Sequence, residues 1–385
     1  MNLELQKSKS NYRTESKLTE ANQQSLVKIT GSKSETNRLL LLQALYSDLY
    51  LENTSNSDDS EVMRKAMQRF QNPLYNNHCV EINVCQAGTA MRFLTAYFAI
   101  QEGAEVLLTG SLRMKERPIE ILVKALNQLG ADISYLEKEG FPPIRIKGKK
   151  LLQKKVTLPA TVSSQYISAL IKVNPTPNTQ HPILLTIESD WSSASYWFSI
   201  VALSEIGMQI TLSSYKKNSL QGDSILVQIY KDFGVQTVFN EDQSITISKI
   251  NSHNIQYIEY NLQSTPDIAQ TIVVTCFGLG IACNLKGLQT LKIKETDRLE
   301  ALKIELTKLG STIAITKSSL SIEESKHINS DIEISTYQDH RMAMAFAPLA
   351  LKVPIQIKNA EVVSKSYPNF WKDLELFGIA IKELY

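Results

Sequence analysis

The sequence has few of the residues that mark secreted, membrane-spanning or metal-binding proteins. It contains four cysteines and five histidines among 385 residues. Cys79, Cys85, Cys276 and Cys283 form neither a CxxC pair nor a metal-like cluster with the histidines. No apolar run reaches the roughly 18 residues of a membrane span, and residues 1–20 lack the apolar stretch of a signal peptide. We therefore expect a soluble, cytoplasmic protein with reduced thiols.

The sequence also lacks a large excess of one charge, and it lacks a P-loop. Its net charge is +2, whereas a dedicated nucleic-acid binder is usually more basic. The stretch "KITGSKSETNRLLLLQAL" opens a leucine-rich helix with two cations, but Ser32 precedes Lys33 where a P-loop has glycine. A helix capped by Ser32 or Ser34 has free N–H groups that, together with Lys33 and Arg38, favour a bound anion.

Helix-like segments that end in glycine and pass into alternating, β-like runs recur along the chain. They occur at Gly130, Gly207, Gly234, Gly310 and Gly378. Glycine supplies the left-handed residue that ends many helices, and the alternation after it is typical of a half-exposed strand. The pattern predicts an α/β fold of similar modules, and the chain length predicts two domains.

Several of the predicted helices, among them 113–126 and 294–306, begin with small polar residues and cations. Any one of them is typical of a capped surface helix. Together they place seven cations near helix N-termini, namely Lys33, Arg38, Arg92, Arg117, Lys294, Arg298 and Arg341. If those ends converge, they form a positive cleft suited to a small ligand with several negative charges.

Nine segments carry a resemblance to a known family. In chain order they are "GSKSETNR", "AGTAMRFL", "RMKERPI", "SSQYISAL", "SSASYWF", "PDIAQT", "KETDRL", "QDHRMAMAF" and "SKSYPNFW". They resemble the signature segments of 5-enolpyruvylshikimate-3-phosphate synthase (EPSP synthase, 3-phosphoshikimate 1-carboxyvinyltransferase). The resemblance extends from about Gly31 to Phe370, which is nearly the whole chain.

The resemblance implies both a fold and a reaction. The fold is two domains of repeated βαβ-type modules, with helix N-termini converging on an interdomain cleft. The implied ranges are 1–30 with 188–385 for the phosphoenolpyruvate side and 31–187 for the shikimate 3-phosphate side. The reaction transfers the enolpyruvyl group of phosphoenolpyruvate to the 5-hydroxyl of shikimate 3-phosphate and releases phosphate. This transferase reaction belongs to the shikimate pathway to chorismate, in aromatic amino-acid biosynthesis.

The resemblance also implies roles for particular residues. For shikimate 3-phosphate it implies Lys33, Ser34, Arg38, Ser163, Ser164, Gln165, Asp267, Thr290 and Lys294. For phosphoenolpyruvate it implies Lys33, Gly88, Arg117, Gln165, Arg298, Arg341 and Lys365. The planar guanidinium groups of Arg298 and Arg341 suit a carboxylate better than lysine does. Arg92 is expected to support the helix that carries Gly88.

The implied chemistry is proton transfer followed by addition and elimination. Asp267 is the expected base for the hydroxyl, and Glu295 with Lys33 is expected to act on the methylene proton and the leaving group. The tetrahedral intermediate then loses a methyl proton and phosphate. The resemblance implies no metal, no organic cofactor, no nucleic-acid or membrane partner, and a monomer.

The resemblance to the family is interrupted between Gln165 and Asp190. Family members usually carry a Ser-(Lys/Arg)-Pro-Tyr segment there, and here it is absent, as if part of one α/β module were missing. Gln86 and Thr290 each stand where the family commonly has asparagine.

Two other functions stay open at this point. The deletion permits a weakened relative that only binds phosphorylated ligands. The sister transferase acting on UDP-N-acetylglucosamine is disfavoured, because "LTGSLRMKERPI" lacks the loop cysteine of that family.

Overall fold

The computed structural model describes residues 1–8, 26–46, 48–71, 79–152, 156, 168–170, 183–252 and 255–384. The chain divides into two compact units, Met1–Thr30 with Glu188–Tyr385 (unit 1) and Gly31–Ile187 (unit 2). No helix in these described ranges is long and apolar enough to cross a membrane.

The described segments contain strands and helices in alternation. The strands are β1 (Asn2–Lys7), β2 (Leu26–Val27), β3 (Leu49–Glu52), β4 (Val80–Asn83), β5 (Glu105–Thr109), β6 (Asp132–Tyr135), β7 (Ile144–Lys147), β8 (Ile183–Thr186), β9 (Gln209–Leu212), β10 (Val235–Phe239), β11 (Ile245–Lys249), β12 (Tyr257–Asn261), β13 (Ala282–Lys286), β14 (Ile313–Ile315), β15 (Ser319–Ile322), β16 (Ile332–Ser335), β17 (Ile355–Lys358) and β18 (Ile379–Leu384). The helices are α1 (Lys33–Leu45), α2 (Asp58–Gln71), α3 (Gly88–Ala99), α4 (Leu112–Lys115), α5 (Glu120–Gln128), α6 (Trp191–Leu203), α7 (Leu226–Ile229), α8 (Ala269–Leu279), α9 (Arg298–Lys308), α10 (His340–Phe346) and α11 (Phe370–Glu375).

Four of the sheets have the same pairing pattern. Their strand orders are β4-β5-β7-β6, β2-β9-β11-β10, β12-β13-β15-β14 and β16-β17-β1-β18. In each, the first two strands are parallel and the other two pairings are antiparallel. A helix precedes the second strand in every case, as a parallel crossover requires. The fold is therefore a repeated α/β module, as the helix–glycine–strand pattern predicts.

A fifth sheet, in unit 2, has only two strands within the described residues. β3 and β8 run parallel, with Leu49 opposite Ile183 and Glu52 opposite Thr186. Residues 157–167 and 171–182, where the expected signature segment is missing, lie outside the described part of the chain. The described part of unit 2 thus contains one four-stranded module and this smaller pair of strands.

The glycines predicted to end helices are confirmed. Gly130, Gly207, Gly234, Gly310 and Gly378 have φ between 77° and 103°, a region that residues with a β-carbon seldom occupy. Each glycine precedes a strand, so the helix ends sharply and the chain turns back into its sheet.

One predicted helix is wrong in its extent. The segment 113–126 forms two helices, α4 and α5, with a break between them that contains Pro118. Proline cannot donate the helical hydrogen bond and restricts the residue before it, Arg117, to extended backbone. Likewise, α9 begins only at Arg298, where Asp297 accepts from the amides of Leu299 and Glu300, so Lys294 and Glu295 precede the helix.

The two units have separate hydrophobic cores. In unit 1, helix α6 is buried on every side, with Trp197 and Phe198 inaccessible to solvent. Trp197 meets Phe377 edge to face, with ring centroids 5.0 Å apart. In unit 2, helix α3 occupies the same central position, and its Phe93 and Phe98 are equally buried. Each of these two helices is therefore packed into its core along almost its whole length.

Candidate active site

The sequence-predicted residues lie where a strand of a parallel pair gives way to the next helix. Asp267 follows β12, and Lys294 and Arg298 follow its partner β13. Arg341 follows β16, and Lys365 follows its partner β17. The carboxyl ends of parallel strands are where α/β proteins commonly place their ligands. The repeated module thus brings residues far apart in sequence to the same edge.

Arg298 is the centre of a charge network in unit 1. Its Nε donates to Oδ2 of Asp339 at 2.7 Å, and its Nη1 donates to Oδ1 of Asp267 at 2.8 Å. Its Nη2 donates to Oε2 of Glu295 at 2.9 Å. The Arg298 side chain is 2% exposed and that of Asp339 is 0% exposed. A buried guanidinium needs such partners, because an unpaired buried charge is costly.

Three positively charged side chains surround the carboxylate of Asp267. Besides Arg298, Nζ of Lys294 lies 3.1 Å from Oδ1, and Nη2 of Arg341 lies 3.5 Å from Oδ2. Burial by itself raises the pKa of this carboxyl, but the positive charges of Lys294, Arg341 and Arg298 outweigh it and hold the pKa well below its usual range. Asp267 is therefore ionised at neutral pH.

Ser192 and Asp223 extend this network. Nη2 of Arg341 donates to Oγ of Ser192 at 3.2 Å, and Ser192 in turn donates to Oδ2 of Asp223. Burial raises the pKa of Asp223 to about 6, although the charge of Arg341 opposes the rise. The starts of α6, α8, α9 and α10 thus meet within unit 1, and carboxylates balance much of the positive charge that the sequence predicts there.

Two further predicted residues, Lys365 and Thr290, follow the parallel strands β17 and β13. Nζ of Lys365 donates to the carbonyl oxygen of Gln338 at 2.6 Å, three residues before Arg341. Tyr337 and Gln338 both have φ above 50°, and this tight turn directs the chain into α10. Thr290 is exposed in the short 3-10 helix Gln289–Ile293.

In unit 2, Lys33 forms an ion pair with Asp59. Their Nζ and Oδ2 atoms are 3.2 Å apart, and the side chains are 15% and 12% exposed. Ser32 caps α1 and accepts from the amide of Glu35 at 3.5 Å, as predicted. Lys33 is therefore the first residue of α1 and lies at the positive end of the helix dipole.

Arg38 and Ser34 lie one turn apart on the same helix. Nη1 of Arg38 donates to the carbonyl oxygen of Ser34 at 2.8 Å, and its Nε donates to Oγ of Ser168 at 3.1 Å. Its guanidinium lies 5.5 Å from the ring centroid of Phe93. Burial lowers the pKa of Arg38, yet arginine stays charged at any physiological pH. Ser163, Ser164 and Gln165, also predicted for this site, lie outside the described residues.

Gly88 and Arg117 are in close contact. A β-carbon at Gly88 would lie 2.5 Å from Nη2 of Arg117, so only glycine leaves room for the guanidinium. Nη1 of Arg117 also donates to the carbonyl oxygen of Gln86 at 3.3 Å. Arg92 donates to the carbonyl oxygen of Gly88 at 2.9 Å, which agrees with its expected supporting role.

Comparison with known proteins identifies the family of the chain. The family model for EPSP synthase (3-phosphoshikimate 1-carboxyvinyltransferase) matches residues 18–176 and 170–374. A 3-phosphoshikimate 1-carboxyvinyltransferase from Bacteroides fragilis is 40% identical over 404 residues, covering 92% of this chain and 96% of its own length. The chain belongs to the EPSP synthase family.

Other members of the EPSP synthase family give the same result. The 3-phosphoshikimate 1-carboxyvinyltransferase of Colwellia psychrerythraea is 31% identical, covering 90% of this chain and 95% of its own length. EPSP synthase of Acinetobacter baumannii has the same two-domain fold, with a TM-score of 0.72 at 19% identity over 99% of this chain and all of that one. The protein is thus an enolpyruvyl transferase of the shikimate pathway.

The chain lacks residues that a relative in the EPSP synthase family has. The match to the Bacteroides fragilis protein extends over 404 positions, more than the 385 residues of the chain. The relative therefore has residues with no counterpart in this chain.

Four residues of the site were missed by sequence reasoning, namely Asp59, Ser192, Asp223 and Asp339. Asp339 and Ser192 stand inside quoted motifs. Asp339 is the N-cap of α10, and Ser192 is the second residue of α6. The first turn of the helix that contains Asp59 is acidic, and the short helix that contains Asp223 carries no cation. A search for helix starts with cations therefore passes over both residues.

Proposed function

We propose that the enzyme transfers the enolpyruvyl group of phosphoenolpyruvate to the 5-hydroxyl of shikimate 3-phosphate through a tetrahedral intermediate. Asp267 takes the proton of the hydroxyl, which attacks C2 of phosphoenolpyruvate as C3 gains a proton. Loss of a proton from the new methyl group and of phosphate from C2 then gives the product. The enzyme acts as a monomer in this proposal.

The observation that carries the proposal is the compensation of charge around Asp267. Lys294, Arg298 and Arg341 hold this carboxyl ionised, and an ionised carboxylate is what a base requires. When the carboxylate of phosphoenolpyruvate occupies Arg298 and Arg341, their charge is shared with the substrate. The pKa of Asp267 then rises, because there is less positive charge nearby to stabilise its ionised form. Asp267 thereby becomes a stronger base.

The remaining residues neutralise and position the two anions. Ser34, Arg38, Ser163, Ser164, Thr290 and Lys294 hold shikimate 3-phosphate, and Gly88, Arg117, Gln165 and Lys365 hold phosphoenolpyruvate. Hydrogen bonds from cations to phosphate and carboxylate oxygens are among the strongest in proteins. Fixing both substrates in register supplies much of the rate enhancement.

Glu295 and Lys33 act in the second proton transfer and in the departure of phosphate. Glu295 is paired with Arg298 at 2.9 Å and is 15% exposed, so it can exchange a proton with a bound substrate. Lys33 neutralises the charge that develops on the departing phosphate. Asp59, 3.2 Å from Nζ, orients the ammonium of Lys33.

Deuterium exchange tests this mechanism directly. With both substrates in D2O, protonation at C3 makes a methyl group with one deuterium, and its loss of a proton leaves deuterium in the vinyl group of the product. We expect NMR to show that label with the wild type, and at least tenfold slower labelling with Glu295→Gln. Product without vinyl deuterium would contradict the tetrahedral route. The exposed-residue variant Glu300→Gln is the matched control.

A further inference from the structure

A second cavity in unit 1 lies outside the network of Arg298. Its volume is about 510 Å³, within the range of small-molecule sites. One wall is apolar and is formed by Ile225, Ile229 and Leu262. Nothing in the proposed reaction uses this cavity.

The lining of the cavity also includes a carboxylate. Asp232 is the one charged residue that lines it in the described part of the chain. Tyr260 donates its hydroxyl hydrogen to Oδ2 of Asp232, and burial followed by this bond raises the pKa of Tyr260, so the phenol keeps its proton. Oδ1 of Asp232 accepts no hydrogen bond from the described residues, so its lone pairs are available to a hydrogen-bond donor on a ligand.

The neighbouring lysine in the sequence, Lys231, does not pair with this carboxylate. Lys231 donates to Oε1 of Gln228 at 2.9 Å and forms no ion pair with Asp232 within the described residues. The cavity therefore combines one negative charge with an apolar wall. Its complement is a molecule with one positive charge and an apolar body.

We propose that the cavity binds an organic ammonium ion, with the ammonium group on Oδ1 of Asp232 and the apolar body against Ile225, Ile229 and Leu262.

Binding there would reach the active site through the backbone. Gly222 and Thr265 also line the cavity, and they stand one residue before Asp223 and two residues before Asp267. A ligand in the cavity therefore contacts the two segments that position the carboxylates of Asp223 and Asp267. We expect saturating ligand to change kcat by about twofold or more. This coupling rests on the proposed function, whereas binding itself does not.

Calorimetry on the full chain with three matched probes tests the site. Phenethylamine carries the charge and a ring, 3-phenylpropionate carries the opposite charge, and 2-phenylethanol carries none. We expect saturable binding of phenethylamine, at least fivefold tighter than either other probe, because the ammonium gains a charged hydrogen bond. Equal or tighter binding of 3-phenylpropionate, or no saturable binding of phenethylamine, would overturn the proposal.

Variants locate the bound probe. Asp232→Asn removes the charge at an exposed position and should weaken phenethylamine binding about fivefold or more. Ile225→Lys places a cation in the cavity and should abolish it, whereas Asp242→Asn, at another exposed aspartate, should leave it unchanged. Thermal unfolding checks that each variant is folded. Wild-type affinity in folded Asp232→Asn would refute the site. Unchanged kcat at saturating phenethylamine would refute only the coupling.

Discussion

The guanidinium of Arg117 lies so close to the Cα of Gly88 that a β-carbon there would be 2.5 Å from Nη2. Because the end of an arginine side chain moves more easily than a helix start, Gly88→Ala should displace Arg117 and leave the helix intact. We expect the KM for phosphoenolpyruvate to rise roughly tenfold or more, as when a hydrogen bond to a charged group is lost.

The matched control for that variant is Gly103→Ala. A β-carbon at Gly103 meets nothing within 4 Å, so its cost is limited to backbone strain and the KM should not change. Steady-state kinetics with varied phosphoenolpyruvate distinguish the two variants. An unchanged KM in Gly88→Ala would mean that Arg117 does not contact this substrate.

Asp339 holds Arg298 in the buried part of the network. Asp339→Asn removes the charge that neutralises the guanidinium from 2.7 Å away, and breaking a buried pair on one side costs about 3 kcal/mol or more. We expect urea unfolding to show a loss of that size in the free energy of unfolding. Asp331→Asn, at an exposed aspartate, should change it by less than about 0.5 kcal/mol. A similar loss in both variants would argue against this role for Asp339.

Asp223 should make the stability depend on pH. Its pKa is about 6 in the folded protein against an ordinary value of 3.8. The folded state then binds the proton more tightly than the unfolded chain does. Its stabilising contribution is complete below pH 3.8 and is lost as the pH rises to about 6.

The variant Asp223→Asn cannot titrate, so it lacks this loss. We expect the unfolding free energy of the variant, relative to the wild type, to increase between about pH 4 and pH 6 and then to level off. Chemical unfolding at a series of pH values measures the difference. A difference that stays constant across this range would mean that Asp223 has its ordinary pKa.

Asp59 should matter to catalysis through Lys33. Asp59→Asn removes the carboxylate 3.2 Å from Nζ, and Lys33 loses the charged partner that orients its ammonium group. We expect kcat to fall roughly tenfold or more, with a smaller change in either KM. The neighbouring exposed aspartate gives the control, Asp58→Asn. Equal kcat values for the two variants would place Lys33 outside the chemical step.

The fold could be predicted from local patterns to a considerable extent. Glycine at a helix end and alternation after it are short-range signals, and Gly130 and Gly310 show the positive φ that they imply. The break at Pro118 also has a local cause and could have been anticipated. The pairing order of the strands could not, since it depends on contacts between distant segments.

The site was predictable where a cation stands in a recognisable motif, as at Arg298 and Arg341. It was not predictable where a residue acts through a partner on another module. Asp223 is linked to Arg341 by hydrogen bonds through Ser192, and Asp59 on α2 pairs with Lys33 on α1. Neither relationship leaves a pattern in the sequence, because each depends on which helix starts meet at one sheet edge.

The most direct test of the account is phosphate release by the purified protein with shikimate 3-phosphate and phosphoenolpyruvate. We expect turnover that requires both substrates, that falls at least about a hundredfold in Lys33→Met, and that persists in Lys65→Met, which removes an exposed lysine from α2. This result would establish that the shortened chain catalyses the transfer. Binding of shikimate 3-phosphate without any phosphate release, in protein that is folded by calorimetry, would contradict it.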